Sequence, residues 1–268
     1  MRPKWLIRLR KNIFYYGMAA IVGISLIISC LRMNTEHIFL CVLALILFML
    51  PHVLNRLLKL YIPPVMEIAI VTFIVCGIIL GEVENFFVRF PYWDTIMHTV
   101  NGIVCAALSL SVVVLLNKQD RMLFRLSPLF LMVVAVSFSM LIGVLWEFFE
   151  FGVDRILKKD MQKDTWVSEI STVSLDTGSD SKVTTISPIE KVTINDGEVV
   201  LNGYLDIGLY DTMEDLFVTF AGAVAFNVFA AIYSKKHKGF IFCLLIDTQE
   251  HSKKRMEEQY HEKKSYHD

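Results

Sequence analysis

The chain predicts an all-α polytopic membrane protein, a six-transmembrane-helix bundle with a small extracytoplasmic β insert. Three observations lead there. Apolar runs recur at roughly 13–31, 36–50, 65–81, 98–116, 129–150 and 213–233, and most reach the ~17–25 residues needed to cross ~30 Å of hydrocarbon. The 268 residues are 54% hydrophobic with a mean hydropathy of +0.52, more apolar than a soluble domain of this size needs. From Asp154 to about residue 210 the composition turns polar and β-branched, as an insert outside the bilayer would.

The first run follows Arg2, Lys4, Arg8, Arg10 and Lys11. Within it Ile27-Ile28-Ser29-Cys30 resembles a lipoprotein cleavage box. Five further spans already anchor the chain, so Cys30 is taken as part of an uncleaved first helix. The second run is the shortest, because Pro51 and His52 cut it. Leu54, Leu57, Leu58 and Leu60, mixed with Arg56 and Lys59, then read as an interfacial amphipathic extension. The apolar stretch 239–246 is too short to span and is expected in the interface or against the bundle. Beyond it a charged tail carries His251, His261 and His267.

Net charge is −1, so no basic field points to nucleic acid as a partner. The cations are nevertheless unevenly placed. With six alternating spans, the N-terminal cluster falls on one side together with Arg56, Lys59, Lys118, Arg121, Arg125, Lys235, Lys236 and Lys238. The short opposite connections hold only Arg32 and Arg89. The positive-inside rule then puts both termini in the cytoplasm of a bacterial plasma membrane, with the lipid bilayer as partner. Cysteines 30, 41, 76, 105 and 243 lie in apolar runs without paired spacing and read as small hydrophobes.

The expected organisation is 1–153 for the first five spans, 154–210 for the insert, 211–233 for the sixth span and 234–268 for a cytoplasmic tail. Inside the insert, β-branched stretches at 182–186 and 191–194 suggest strands. Asn195-Asp196-Gly197 between two apolar triplets is a hairpin signal, because such turns need positive φ. Two to four strands are expected. Residues 176–180 space oxygen ligands loosely like a calcium loop but lack its distal glutamate, so a solvated turn is expected. No Walker loop, dinucleotide fingerprint or nucleophile elbow is present in the sequence.

The chemistry gathers at span ends. Four clusters, Glu82/Glu84, Asp94/His98, Glu147/Glu150 and Asp211/Asp215, all fall on the outer side in this topology. Ionisable groups beside hydrocarbon are costly, so their gathering at one depth points to use. Asp94 has an ordinary role as a helix N-cap, but His98, one turn on, is placed for a carboxylate to orient its imidazole. Glu147 and Glu150 share a helix face three residues apart, among Trp146, Phe148, Phe149 and Phe151. Two carboxylates at a helix C-terminus oppose the macrodipole and call for a counter-charge: a metal, a shared proton, Arg89 or Arg155. Asp211 and Glu214 form a capping-box pattern, which leaves Asp215 spare. Gly102, Gly143 and Gly222 lie within two turns of these groups, where small residues let helices approach closely.

The set Asp94/His98/Gly102, Trp146-Glu147 with Glu150, and Asp211-Thr212 with Asp215 and Gly222-Ala223 resembles the YjdF-like family of uncharacterised bacterial multipass membrane proteins over about 65–233. The order is also similar, more distantly, to VanZ-like membrane proteins, from which the chain departs at Glu150 and in its long insert. The resemblance implies that His98, Glu147, Glu150 and Asp215 act as a unit.

The expectation is therefore a divalent-metal centre near the outer interface, built from His98, Glu147, Glu150 and Asp215. Asp94 would orient His98, Asp211 and Glu214 would cap the sixth helix, and Glu82 would add to the acidic layer. Such ligands suit Zn²⁺, Mn²⁺ or Fe²⁺. The metal would activate water or polarise an ester or phosphoryl oxygen of a lipid-like envelope substrate, making the chain a hydrolase or transferase. Two other classes stay open. One is a transporter or ion pathway, although such acids usually sit near the midplane and the span interiors here read as apolar. The other is a scaffold that binds a partner through the insert.

Overall fold

Backbone polar groups inside a bilayer must be satisfied within the segment that carries them, so apolar runs of this length become helices. The computed structural model describes residues 4–57, 60–117, 127–176, 178, 181–236 and 247–248. The elements, in chain order, are α1 (Lys4–Leu31), α2 (Thr35–Leu57), β1 (Leu60–Tyr61), α3 (Pro64–Ile74), α4 (Phe86–Arg89), α5 (Trp93–Asn117) and α6 (Pro128–Leu157). They continue with β2 (Thr165–Val167), β3 (Ile170–Thr172), β4 (Thr184–Ile186), β5 (Val192–Ile194), β6 (Val199–Leu201), β7 (Tyr204–Asp206), α7 (Leu209–Lys236) and β8 (Asp247–Thr248). Among the described residues six helices are long and apolar enough to cross a membrane. The fold is the expected all-α polytopic one with small strands. The connection at 118–126, the stretch 239–246 with Cys243, and the tail beyond Thr248 lie outside the described residues.

The chain divides into two compact units. One comprises Met1–Gly143 with Phe217–Asp268, the other Val144–Leu216. In the first, α1, α2 and α3 meet around Val22, Cys41, Ala44, Phe48, Val71 and Ile79, all buried. Pro51 does not end α2 as expected. The helix runs through it to Leu57, so residues 54–57 of the expected amphipathic extension are helical; Leu58 and Lys59 lie outside the described residues and Leu60 belongs to β1. Proline is tolerated in membrane helices because neighbouring groups take up the backbone oxygens it strands.

The third span holds a feature the sequence did not announce. Beyond Ile74 it continues as a π-helix over Val75–Val83. That winding shifts backbone partners by one residue, and such segments recur at functional sites. The Cys76 carbonyl accepts from the Trp93 indole Nε1 at 3.3 Å. Phe86 packs edge-on against both Phe90 and Trp93, and a Cβ on Gly81 would collide with the Phe87 ring. The start of α5 is thereby pinned to the π segment.

Helices α5 and α7 touch backbone to backbone. A Cβ on Gly102 would overlap the Thr219 carbonyl, and one on Gly222 would overlap the Thr99 carbonyl. Thr219 Oγ1 donates to the His98 carbonyl at 3.2 Å, and Ser139 Oγ to the Gly102 carbonyl at 3.1 Å. Lipid supplies no hydrophobic drive for helix pairing, so close van der Waals approach and such bonds hold these spans together. The span interiors are correspondingly less apolar than expected: Ser111, Ser139, Thr219 and Asn227 are all buried.

In the second unit the described residues of the insert form six short strands in three antiparallel pairs, where two to four strands were expected. Hairpin β5–β6 pairs Ile194 with Val199 across Asn195-Asp196-Gly197, and all three turn residues have positive φ, as anticipated. Strands β3 and β4 pair Ile170 with Ile186. Strands β2 and β7, at opposite ends of the insert, pair Thr165 with Asp206. The Asp176 carboxylate accepts from the backbone N–H of Lys182 at 2.9 Å and of Gly178 at 3.1 Å. It serves its own turn; Thr177, Ser179 and Asp180 lie outside the described residues. Those bonds, Lys182 first, hold its carboxyl below the usual range. A depressed folded value means that the turn is fully stabilised above the unfolded carboxylate range and loosens as pH falls through the lowered value. Amide-exchange protection at Gly178 and Lys182 should hold at about pH 5 and fade towards about pH 2. Protection that ignores pH over that window would remove the carboxylate from the turn.

Candidate functional site

Three helices bury a stripe of small residues, and each stripe ends in an ionisable one. On α6 the buried positions are Ala135, Ser139, Gly143, Glu147 and Glu150. On α7 they are Asp215, Thr219, Ala223, Asn227 and Ala230; on α5, His98, Gly102, Ala106 and Ser109. Spacings of three and four residues keep each set on one face. The helices also run further than the apolar runs, so Asp94 and Asp211 are helical along with Glu147, Glu150 and Asp215.

In the second unit, Glu147, Glu150 and Asp215 converge. One carboxylate oxygen from each lies within 4.8 Å of the others, and the residues are only 3%, 7% and 4% exposed. Glu150 is held by its own helix: Trp146 Nε1 donates to its Oε1 at 2.8 Å, and the Trp146 ring packs on Phe149 at 5.3 Å. Three carboxylates this close and this dry repel one another unless protons or a cation lie among them. The set offers hard oxygen donors, which suit a divalent cation.

A strap fixes the two helix ends that carry the trio. At the end of α6, the Asp154 carboxylate accepts from the backbone N–H of Met161 at 2.7 Å and of Gln162 at 2.9 Å. The next N–H, that of Lys163, donates to Asp211 Oδ2 on α7 at 2.9 Å, and Gln162 Nε2 donates to Thr212 Oγ1 at 2.6 Å. Gly208, at φ +119°, lies where any Cβ would meet Gln162. Sequence reasoning missed Asp154, Gln162 and Thr212. An acid beside the C-terminus of α6 was the available signal for Asp154, since the macrodipole disfavours it there.

Two expected roles are corrected here. Helix α7 starts at Leu209, so Asp211 is not its N-cap; its carboxylate accepts from the strap instead. The Tyr210 N–H is taken by Asp206 Oδ2 at 2.9 Å, and Glu214 is exposed in the first turns. Asp94 likewise falls inside α5, which opens at Trp93.

In the first unit His98 is buried and its Nε2 lies 3.6 Å from Asp94 Oδ1. That is the expected carboxylate beside the imidazole, at ion-pair rather than hydrogen-bond range. Glu82 is half-buried at the end of the π segment and Glu84 is exposed. Neither belongs to the converging trio.

No curated protein and no solved structure matches the chain. A family model described as "Predicted membrane protein (DUF2238)" matches residues 14–236, from within α1 to the last residue of α7, and so takes in most of the first candidate span, the other five found among the described residues, the trio and the strap. The chain belongs to this family of predicted membrane proteins.

Proposed function

We propose that Glu147, Glu150 and Asp215 hold a divalent metal ion, and that the chain is a metal-dependent hydrolase or transferase acting on a lipid-like envelope substrate. The observation that carries the reading is the meeting of three buried carboxylates from two helices within 4.8 Å. A divalent ion offsets two of the three negative charges and gives the burial a reason. The sequence expectation adds His98, held by Asp94, as an imidazole donor, and Zn²⁺, Mn²⁺ or Fe²⁺ as the ion. Bound there, the ion would supply a Lewis acid for water or for an ester or phosphoryl oxygen. The chain's own part is to orient and to keep dry: Trp146 fixes one oxygen of Glu150, and Phe149 packs beside that indole. On the topology expected from charge, the centre faces outward from a bacterial plasma membrane with cytoplasmic termini.

Elemental analysis of the purified chain tests this. Wild type is expected to carry about one transition-metal ion per chain, and Glu147→Gln or Asp215→Asn to lose it at least about tenfold. His98→Ala decides whether the imidazole takes part. Equal, near-zero metal in wild type and in both carboxylate variants retires the centre. A second reading, an ion pathway, draws on Asn227: it is buried within α7, and its Oδ1 has no hydrogen-bond partner among the described residues. Ion flux in proteoliposomes that Asn227→Leu abolishes, without bound metal, would favour it.

A further inference from the structure

We infer that the outer end of α6 is a docking site for an anionic phospholipid, an inference about binding that does not depend on the metal reading.

Helix α6 has two faces in its last turns. Glu147 and Glu150 are buried, whereas Leu145, Phe148 and Phe151 are exposed, Phe148 to 67%. In a membrane-crossing helix that exposed ridge faces acyl chains. It ends in Arg155, whose guanidinium lies over the Phe151 ring at 5.3 Å. Lys158 and Lys159 follow, both exposed. Lys158 is the first residue beyond the helix and has φ +55°. A helix commonly ends there in glycine, because a side chain is strained at positive φ. A lysine in that position keeps a cation at the helix end at a conformational cost. On the proposed topology this is the outer side, where the positive-inside rule gives no reason for cations.

The occupant that fits is a lipid whose phosphate meets Arg155 and Lys158 while a chain lies along Phe151, Phe148 and Leu145. A guanidinium can bond two phosphate oxygens at once. Zwitterionic lipid would fit the ridge equally but would carry no net charge to the cations.

Native mass spectrometry of the full chain, delipidated and then offered equimolar phosphatidylglycerol and phosphatidylcholine, tests this. Wild type is expected to retain phosphatidylglycerol by a factor on the order of ten, and Arg155→Ala/Lys158→Ala to bring the ratio near one. Lys182→Ala/Lys191→Ala, in the distal insert, is the control and should keep the preference. Millimolar inorganic phosphate or glycerol phosphate should not displace the lipid; displacement would mean a soluble phosphate site and overturn the lipid assignment. Equal retention of both lipids by wild type, or a preference untouched by the Arg155/Lys158 change, also overturns it. Glu147→Gln separates the two readings, since it should lose metal and keep the lipid preference. A lipid preference without metal in any variant leaves this docking site standing and removes the metal centre alone.

Discussion

Gly102→Ala is expected to cost about 3 kcal/mol or more, enough to split α5 from α7. The added methyl would meet the Thr219 carbonyl oxygen and carbon and the Ala223 nitrogen. These are backbone atoms, which cannot rotate aside as a side chain can. The helices must therefore separate, and the Thr219 hydroxyl then loses its bond to the His98 carbonyl. Gly222→Ala should cost a similar amount, because its methyl meets the Thr99 carbonyl of the facing helix. Both contacts belong to one interface, so the double variant should lose well short of the sum. Once the helices stand apart, the second methyl has room. Gly17→Ala and Gly23→Ala are the controls: nothing lies within 4 Å of either new Cβ, and alanine favours a helix by about 0.5–1 kcal/mol. Thermal unfolding in detergent ranks them. A Gly102→Ala protein as stable as Gly17→Ala would mean that the close approach of α5 and α7 is absent.

The parts of this fold readable beforehand are those that depend on short-range pattern. Span count follows from hydrophobic run length, and the β5–β6 hairpin from Asn195-Asp196-Gly197, because both are local rules. The glycines near the acids could be picked out for the same reason: small residues four positions apart make a stripe. Span ends were read too short. The helix that carries Glu147 and Glu150 runs on past 150 to Leu157, and the one that carries Asp215 opens at Leu209 rather than 213, because charged residues at a helix end lower local hydropathy without ending the helix. The π-helical stretch from Val75 has no hydropathy signature, and the partners seen along it, the Trp93 indole on the Cys76 carbonyl and the Phe87 ring beside Gly81, come from later in the chain. The β2–β7 pairing brings together residues about forty positions apart, and no local pattern fixes such a register. Glu147, Glu150 and Asp215 were chosen because each lacked a routine duty. Asp154 was missed and Asp211 misjudged because their partners are backbone N–H groups, which sequence does not display.

Asp154→Ala should release the strap, at a cost of about 2–3 kcal/mol confined to the second unit. The wild-type carboxylate accepts two backbone N–H groups, from Met161 and Gln162, and a charged acceptor makes such bonds stronger than neutral ones. Alanine returns both donors to water. The neighbouring bonds then lose their geometry, because Lys163 N–H to Asp211 and Gln162 to Thr212 depend on the same three residues of chain. Asp154→Asn keeps one acceptor oxygen and should fall between wild type and alanine. Hydrogen exchange at Met161, Gln162 and Lys163 is the direct readout, with proteolytic nicking in the same stretch as a second. The order of protection should be wild type, then asparagine, then alanine, while amides in α1 and α2 stay unchanged. The strap joins the helix ends that carry Glu150 and Asp215, so if the trio holds a metal as proposed, its release should also weaken that retention without removing a ligand. Alanine at 154 with undiminished protection at 161–163 would leave the trio's spacing to the helices alone.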